Sequence, residues 1–328
     1  MDFASLLQAT VLFMVPIMLV ALAGAFAEHS GIINLGLEGG MIFGAFIGIV
    51  VCRSIIKTSS SPLSHSQWVF VLGMLVAAVA GAVFSLLLSF AAIKLKADQT
   101  IAGTALNSLA PAIVCTFGLL LYTADKINGY TSFAITTNDY AAGFANAVRS
   151  NRFLGFFFDG IYISSYIGIA IYILLSIWLY KSKVGTHLRA CGEHPGAADS
   201  VGINVSGMRY LGTTISGALS GLGGFIYVCT SAGGIAENSV AGLGFLALAI
   251  MIFGNWKPLT IALGALLFGF LGRLGVLAPQ ISWLNALGLP MYFYNIIPYV
   301  VVIIVLVLTR KKSGVPKAEG IPYDKGQR

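Results

Sequence analysis

What most constrains this chain is a succession of uninterrupted apolar runs, each close to the length a helix needs to cross a bilayer. Between Leu12 and Ala27 the sequence reads LFMVPIMLVALAGAFA, without one polar side chain. About 20 predominantly apolar residues span the hydrocarbon core. Runs of that kind fall at 5–27, 31–52, 69–92, 101–122, 161–180, 211–231, 240–254, 258–276 and 294–309. Only 9% of the 328 residues are charged and 57% are hydrophobic. A soluble domain carries about 25% charged residues, so this chain lacks the coat that water requires. The expected fold is an all-α polytopic membrane protein of about nine transmembrane helices (eight to ten). The first run has no basic residues before it, Asp2 being its only early charge, and is too long for a cleaved signal. It reads as a retained helix.

The net charge of +7 does not point to nucleic acid, because the basic residues sit beside apolar runs, where they fix orientation in the membrane. The tail with Arg310, Lys311, Lys312 and Lys317 and the segment with Lys181, Lys183, Arg189 and Arg209 are both expected on the cytoplasmic side. Four runs separate them, an even number, and two more runs back place Lys94 and Lys96 inside as well. The N-terminus, Arg53 and Lys57 then fall outside. Residues 1–328 divide into a first half (5–122), an outer loop (123–160), a linking helix (161–180), a cytoplasmic loop (181–210), a second half (211–309) and a tail (310–328). The halves enter the membrane from opposite sides, as in transporter folds built from inverted repeats with the solute path between them. The outer loop is a resting place for a solute-delivering partner or a surface loop with an amphipathic piece on the membrane.

The stretch GIINLGLEGGMIFGAFIG (31–48) puts Gly36, Gly40, Gly44 and Gly48 four apart. On a helix these form one stripe that lets a second helix approach closely, which is how membrane helices associate. Asn34 and Glu38 fall one turn apart on nearly the opposite face. A carboxylate in lipid is costly, so Glu38 either lines a solute path or bonds to a neighbouring helix to hold a break near Gly39-Gly40. Thr100, Thr104, Asn107 and Pro111 make a second polar stripe; Thr104 and Asn107 suit sugar-like hydroxyls, and equally suit helix-to-helix bonding. Neutral hydrogen-bonding groups outnumber charges within the runs, which fits an uncharged polar solute.

Catalytic signatures are missing. There is no GxxxxGK[ST] phosphate loop, no HExxH and no GxSxG. The run from Gly242 to Ala247 imitates a dinucleotide fingerprint without the strand that should precede it. Cys52, Cys115, Cys191 and Cys229 are isolated, and His29, His65, His187 and His194 lack a second ligand at metal spacing. No metal site is expected, and any driving energy comes from an ion gradient or another subunit.

Between two runs lies KSKVGTHLRACGEHPGAADSVGINVSGMRYLGTTISGALSGLGG (181–224), in which Gly192 and Pro195 are expected breaks, Ala197-Ala198 begin a short helix and Gly202 ends it. Here the chain resembles the permease subunits of ABC importers in the branched-chain amino acid, ribose and simple-sugar group. Leu188-Arg189-Ala190-Cys191-Gly192-Glu193 with Ala197-Ala198 and Gly202-Ile203 is similar to that group's ATPase-docking loop. Ile33-Asn34-Leu35-Gly36-Leu37-Glu38-Gly39 and Ala241-Gly242-Leu243-Gly244-Phe245 through Gly254 and Pro258 match it as well. The INLGLEG form looks most similar to the smaller permease of bacterial nucleoside importers served by Bmp-type lipoproteins. The resemblance implies the type II architecture known from the vitamin B12 importer, in the bacterial cytoplasmic (inner) membrane. It implies a sister permease, a cytoplasmic ABC ATPase holding ATP and Mg, and an extracellular or periplasmic solute-binding lipoprotein. The chain itself would bind no cofactor and catalyse nothing. Its solute would be a nucleoside; a simple sugar or other small polar solute, or a secondary carrier, is the alternative. Arg189, Ala190, Cys191, Gly192, Glu193, Ala197, Ala198 and Gly202 would couple to the ATPase, while Asn34, Glu38, Thr104 and Asn107 are candidates for the path.

Overall fold

In the computed structural model, residues 3–58, 67–124, 126–128, 133–136, 139, 142–280, 286, 288, 290–308 and 314–324 are described. Glycine, rather than aromatic bulk, organises the bundle. The central helix is α10 (Val205–Ser231), and on one side it receives α2 (Leu37–Thr58) and α3 (Gln67–Ser89). A Cβ on Gly44 would overlap Gly221, one on Gly81 would overlap the Gly217 carbonyl, and one on Gly224 would overlap the Met41 backbone. Backbones this close gain dispersion contacts that lipid cannot compete for.

The other side of α10 takes α1 (Phe3–His29), where Gly223 meets Pro16 and Val20 and Gly212 meets Ser30 and Phe26. From Val15 to Ala27 the residues of α1 are buried. Outside α1 stand α7 (Ile163–Lys181), seated through Gly168 on Val15, and α12 (Pro258–Leu277), seated through Gly269 on Met14. Helix α4 (Gln99–Tyr122) flanks α2, and α13 (Met291–Leu308) flanks α12. Asp98 caps α4, accepting hydrogen bonds from the backbone N–H groups of Thr100 and Ile101.

Seven of the described helices are long and apolar enough to cross a membrane: α1, α2, α3 with its π-helical extension to Lys94, α4, α7, α10 and α12. Two of the nine expected runs differ from expectation. The run at 31–52 is helical only from Leu37, residues 30–36 being two turns joined by irregular chain. The run at 240–254 holds α11 (Leu243–Phe253), whose 11 residues reach about 16 Å against the ~30 Å core. The last run is α13, with residue 309 outside the described residues.

One end of the bundle carries β1 (Ile127–Asn128) paired with β4 (Ile235–Ala236), and β2 (Ala134–Ile135) paired with β3 (Ile161–Tyr162), both antiparallel. Arg53 donates there to the Asn128 carbonyl at 3.3 Å. Helices α5 (Ala142–Ser150) and α6 (Arg152–Phe158) belong to the same connection. The opposite end gathers α8 (Lys183–Glu193), α9 (Pro195–Ser200) and the tail 314–324. Lys96 pairs with Asp324 of the tail, and Arg209 donates to Ile321. The three segments read as lying on one side of the membrane thus meet. Arg310, Lys311 and Lys312 lie outside the described residues.

Candidate functional site

Two helix N-termini converge inside the bundle. The chain leaves α1 at His29, turns through Gly31 (φ +91°), runs irregularly to a second turn at 35–36 and starts α2 at Leu37. Side chains from other elements bind the peptide groups this non-helical stretch leaves open. Gln99 Oε1 accepts from Ile33 N at 2.7 Å. Asn107 Oδ1 accepts from Gly39 N at 2.8 Å, and its Nδ2 donates to the Leu35 carbonyl at 2.7 Å. Asn34 accepts from Gly36 N and donates to Ser216 Oγ at 2.8 Å. Irregular backbone is tolerated at membrane depth only where protein or a polar cavity satisfies it. Asn107 stands eight residues beyond Gln99 on α4, so this stretch reaches about 12 Å into the bundle from the end that carries α8, α9 and the tail.

The second N-terminus is that of α11. Glu38 Oε1 accepts from Gly242 N at 2.9 Å and Oε2 from Gly244 N at 2.6 Å. A carboxylate on the first N–H groups of a helix meets both the open donors and the positive end of the dipole. The geometry needs Gly242 at φ +75° and a bare Gly244, where a Cβ would fall 2.5 Å from Glu38 N. Glu38 is 8% exposed. Both helices open on Gly-Leu, at Gly36-Leu37 and at Gly242-Leu243.

These positions differ from a continuous-helix reading. Asn34 precedes α2, so it does not share a helical face with Glu38, and the break lies at 30–36 instead of Gly39-Gly40. Gly36 packs on Gly103 and Leu106 of α4, while Gly40, Gly44 and Gly48 face Ser220, Gly221 and Phe225 of α10. Asn34, Glu38 and Asn107 come together, with their polar atoms engaged within the bundle. Thr104 does not join them: it is exposed on α4 with Thr100 and Ser108, its hydroxyl donating back to the helix at 3.0 Å. Ser216 and Ser220 of α10 were not anticipated; their signal was hydroxyl groups interleaved with glycine in TTISGALSGLGG.

At the strap-bearing end α8 and α9 form a small knob. Gly192 is not a break but lies inside α8, pressed against the last carbonyls of α1, where a Cβ would overlap the His29 oxygen. The break is His194, and α9 starts at Pro195 rather than Ala197. Cys191 and Ala198 are buried with Val205 beneath the tail residue Tyr323, and burial pushes the Cys191 thiol up to about 11. Arg189 stacks over Tyr180 at 4.7 Å, and Ala190 is half-buried. Glu193, Ala197 and Gly202 are exposed, with Val201 76% exposed between Ser200 and Gly202.

The tail straps this knob to the bundle. Ala318 N donates to Gly192 O at 2.8 Å, Gly320 N to Gly31 O at 3.2 Å, and Gly314 N to Asn255 Oδ1. Arg209, 1% exposed, lies under it and donates to Ile321 O at 3.0 Å. Glu319, within electrostatic reach of Glu28, is pushed up to about 7 by burial. Sequence reading took Arg209 for an orientation signal only. Its position near the start of a Gly- and Ser-rich apolar helix, five after the cap Asn204, was the available clue.

Among the described residues no cluster of metal ligands occurs. A helical bundle with broken helices meeting at depth and a knob at one end is the architecture of a membrane transport subunit. The chain belongs to the family described as branched-chain amino acid transport system / permease component, which matches residues 6–306, a family of transport subunits and not of enzymes. It is 35% identical over 324 residues to the guanosine ABC transporter permease protein NupQ of Bacillus subtilis, covering 98% of this chain and 97% of that protein. It is 36% identical over 321 residues to the nucleoside ABC transporter permease protein NupC of Lactococcus lactis, covering 96% and 95%. A second Lactococcus lactis protein, the nucleoside ABC transporter permease protein NupB, is 24% identical over 266 residues, covering 78% and 68%. No solved structure matches the chain.

Proposed function

We propose that the chain is one of two permeases in an ATP-driven ABC importer for nucleosides, in the bacterial cytoplasmic membrane. The observation that carries this reading is the knob. It is buried against α1 on one face, and exposes Val201 between small residues on the other, with open space around Gly196 and Gly202. A protrusion that small fits a groove on a cytoplasmic ATPase, and its rigid contact through Gly192 passes a push to α1. The nucleoside assignment rests on the names of NupQ and NupC, and a sister permease is suggested by NupB alongside NupC. A solute-binding lipoprotein would deliver from the other side.

In this reading the chain crosses nine times in two inverted halves of type II architecture. The segments 30–58 and 232–253 each make one crossing as a non-helical piece plus a helix. The solute would pass along the face of α4 that exposes Thr104, near Asn34, Glu38 and Asn107, and the sister permease would close the path.

The test is ATP-driven uptake of guanosine by vesicles holding this chain with its genomically adjacent ATPase, permease and receptor. Uptake is expected only with all partners and ATP. Val201→Asp should abolish ATPase retention on the purified complex while leaving the permease folded. Uphill nucleoside uptake by the chain alone on a proton or sodium gradient would overturn the reading.

A further inference from the structure

Arg273 is a cation without an acidic partner in an apolar wall. It lies four residues before α12 ends at Leu277, about 6 Å along the axis, at the end of the bundle away from the strap. That is about one turn inside the end of the span, from which a side chain of this length reaches the lipid head groups. Its guanidinium rests over the Phe13 ring at 4.6 Å, and its Nε is buried without a hydrogen-bond partner. Among the described residues no carboxylate forms an ion pair with it. An arginine inside a membrane span is costly and calls for a named partner, and among the described residues it meets the Phe13 ring but no carboxylate.

The same side chain borders a cavity of about 350 Å³ with Phe13, Tyr227, Ser231, Val276 and Pro298, and no acidic residue lines it. Around α12 Arg273 lies about 20° from Leu266 and about 40° from Leu259, which are 41% and 76% exposed. Val276 at the rim is 43% exposed. Arg273 and the rim of the cavity therefore adjoin the exposed apolar face of α12.

We propose that this cavity binds the phosphate group of a membrane phospholipid. The phosphodiester pairs with Arg273, the Tyr227 and Ser231 hydroxyls border the head group, and the glycerol and first acyl carbons fill the space toward Leu243 and Leu246. Guanidinium and phosphate match in geometry as well as charge. A water-borne phosphate ester shares the head-group chemistry, but not the apolar walls.

Native mass spectrometry of the detergent-purified chain tests this. The wild type should keep one phosphatidylglycerol under activation that strips other lipids. Retention should fall about tenfold or more in Arg273→Gln, as loss of a charge-assisted hydrogen bond implies. Val276→Trp, which narrows the mouth and leaves Arg273 in place, should lower retention too and decides the matter if the first variant does not fold. Glycerol 3-phosphate should form no lasting adduct with the delipidated wild type. Equal retention in a folded Arg273→Gln or in Val276→Trp overturns the site, and glycerol 3-phosphate holding as firmly as lipid overturns the lipid as its source.

Discussion

Replacing Glu38 with glutamine isolates what the carboxylate does. The wild-type side chain accepts hydrogen bonds from Gly242 N and Gly244 N through its two oxygens. An amide of the same shape keeps one acceptor and turns an NH2 toward the other N–H. One charge-assisted bond, about 1.5–3 kcal/mol, is lost and a buried donor is left without a partner. The favourable placement at the α11 N-terminus, roughly 0.3–1 kcal/mol, is lost with the charge. The terms overlap, so the local cost is about 2–4 kcal/mol. At about 1.4 kcal/mol per tenfold, the amides of the first turn of α11 should exchange with deuterium roughly 30- to 1,000-fold faster if they exchange through local opening. Hydrogen exchange of peptides spanning 240–247 reads this directly, with the first turn of α4, capped separately by Asp98, as internal control. Unchanged exchange in Glu38→Gln would refute the idea that this carboxylate pins α11.

Other substitutions address the remaining contacts. Gly224→Ala places a methyl against the Met41 backbone; the helices must part, costing about 1–3 kcal/mol, visible as a lower temperature of aggregation in a size-exclusion assay. Asn107→Leu strands the Gly39 N–H and the Leu35 carbonyl and should cost about 2–4 kcal/mol, again read from heat-induced aggregation. The tail should respond to pH. Glu319 titrates near 7 when docked, above its ordinary value, so docking is fully favourable below the ordinary carboxylate pKa and weakens as pH rises through about 7. The ratio of maleimide labelling at Cys191 in wild type to that in Glu319→Gln should therefore rise from about pH 5.5 to about pH 8.5, while a flat ratio would remove Glu319 as the cause.

Much of the architecture was visible in the residues, because bilayer thickness and glycine spacing are local constraints. Runs of apolar residues mark the crossings, and Gly40, Gly44 and Gly48 announce a close neighbour without naming it as α10. The even number of runs between the basic segments placed the tail and the loop 181–210 at one end, where Ala318 and Gly192 now share a hydrogen bond. Where the reading departed from the structure, a distant partner had replaced local periodicity. Residues 31–36 look helical by hydropathy, yet their peptide groups are bonded by Gln99, Asn107 and Asn34. Gly192 looked like a helix breaker and proved to be a contact point, since glycine is used for close approach as readily as for a turn.

The sequence alone determined that the chain is a membrane-spanning helical bundle, where its apolar runs lie, and which basic segments gather at one end, since each follows from the cost of putting polar groups in hydrocarbon. Only the tertiary structure decided that Glu38 grips the start of α11, that Arg209 lies beneath a strap, and that Arg273 has a cavity beside it. Those facts join residues as many as 260 positions apart, the hydrogen bonds among them as many as 206. Hydrogen bonds over such separations are set by how helices pack, a property no window of neighbouring residues contains.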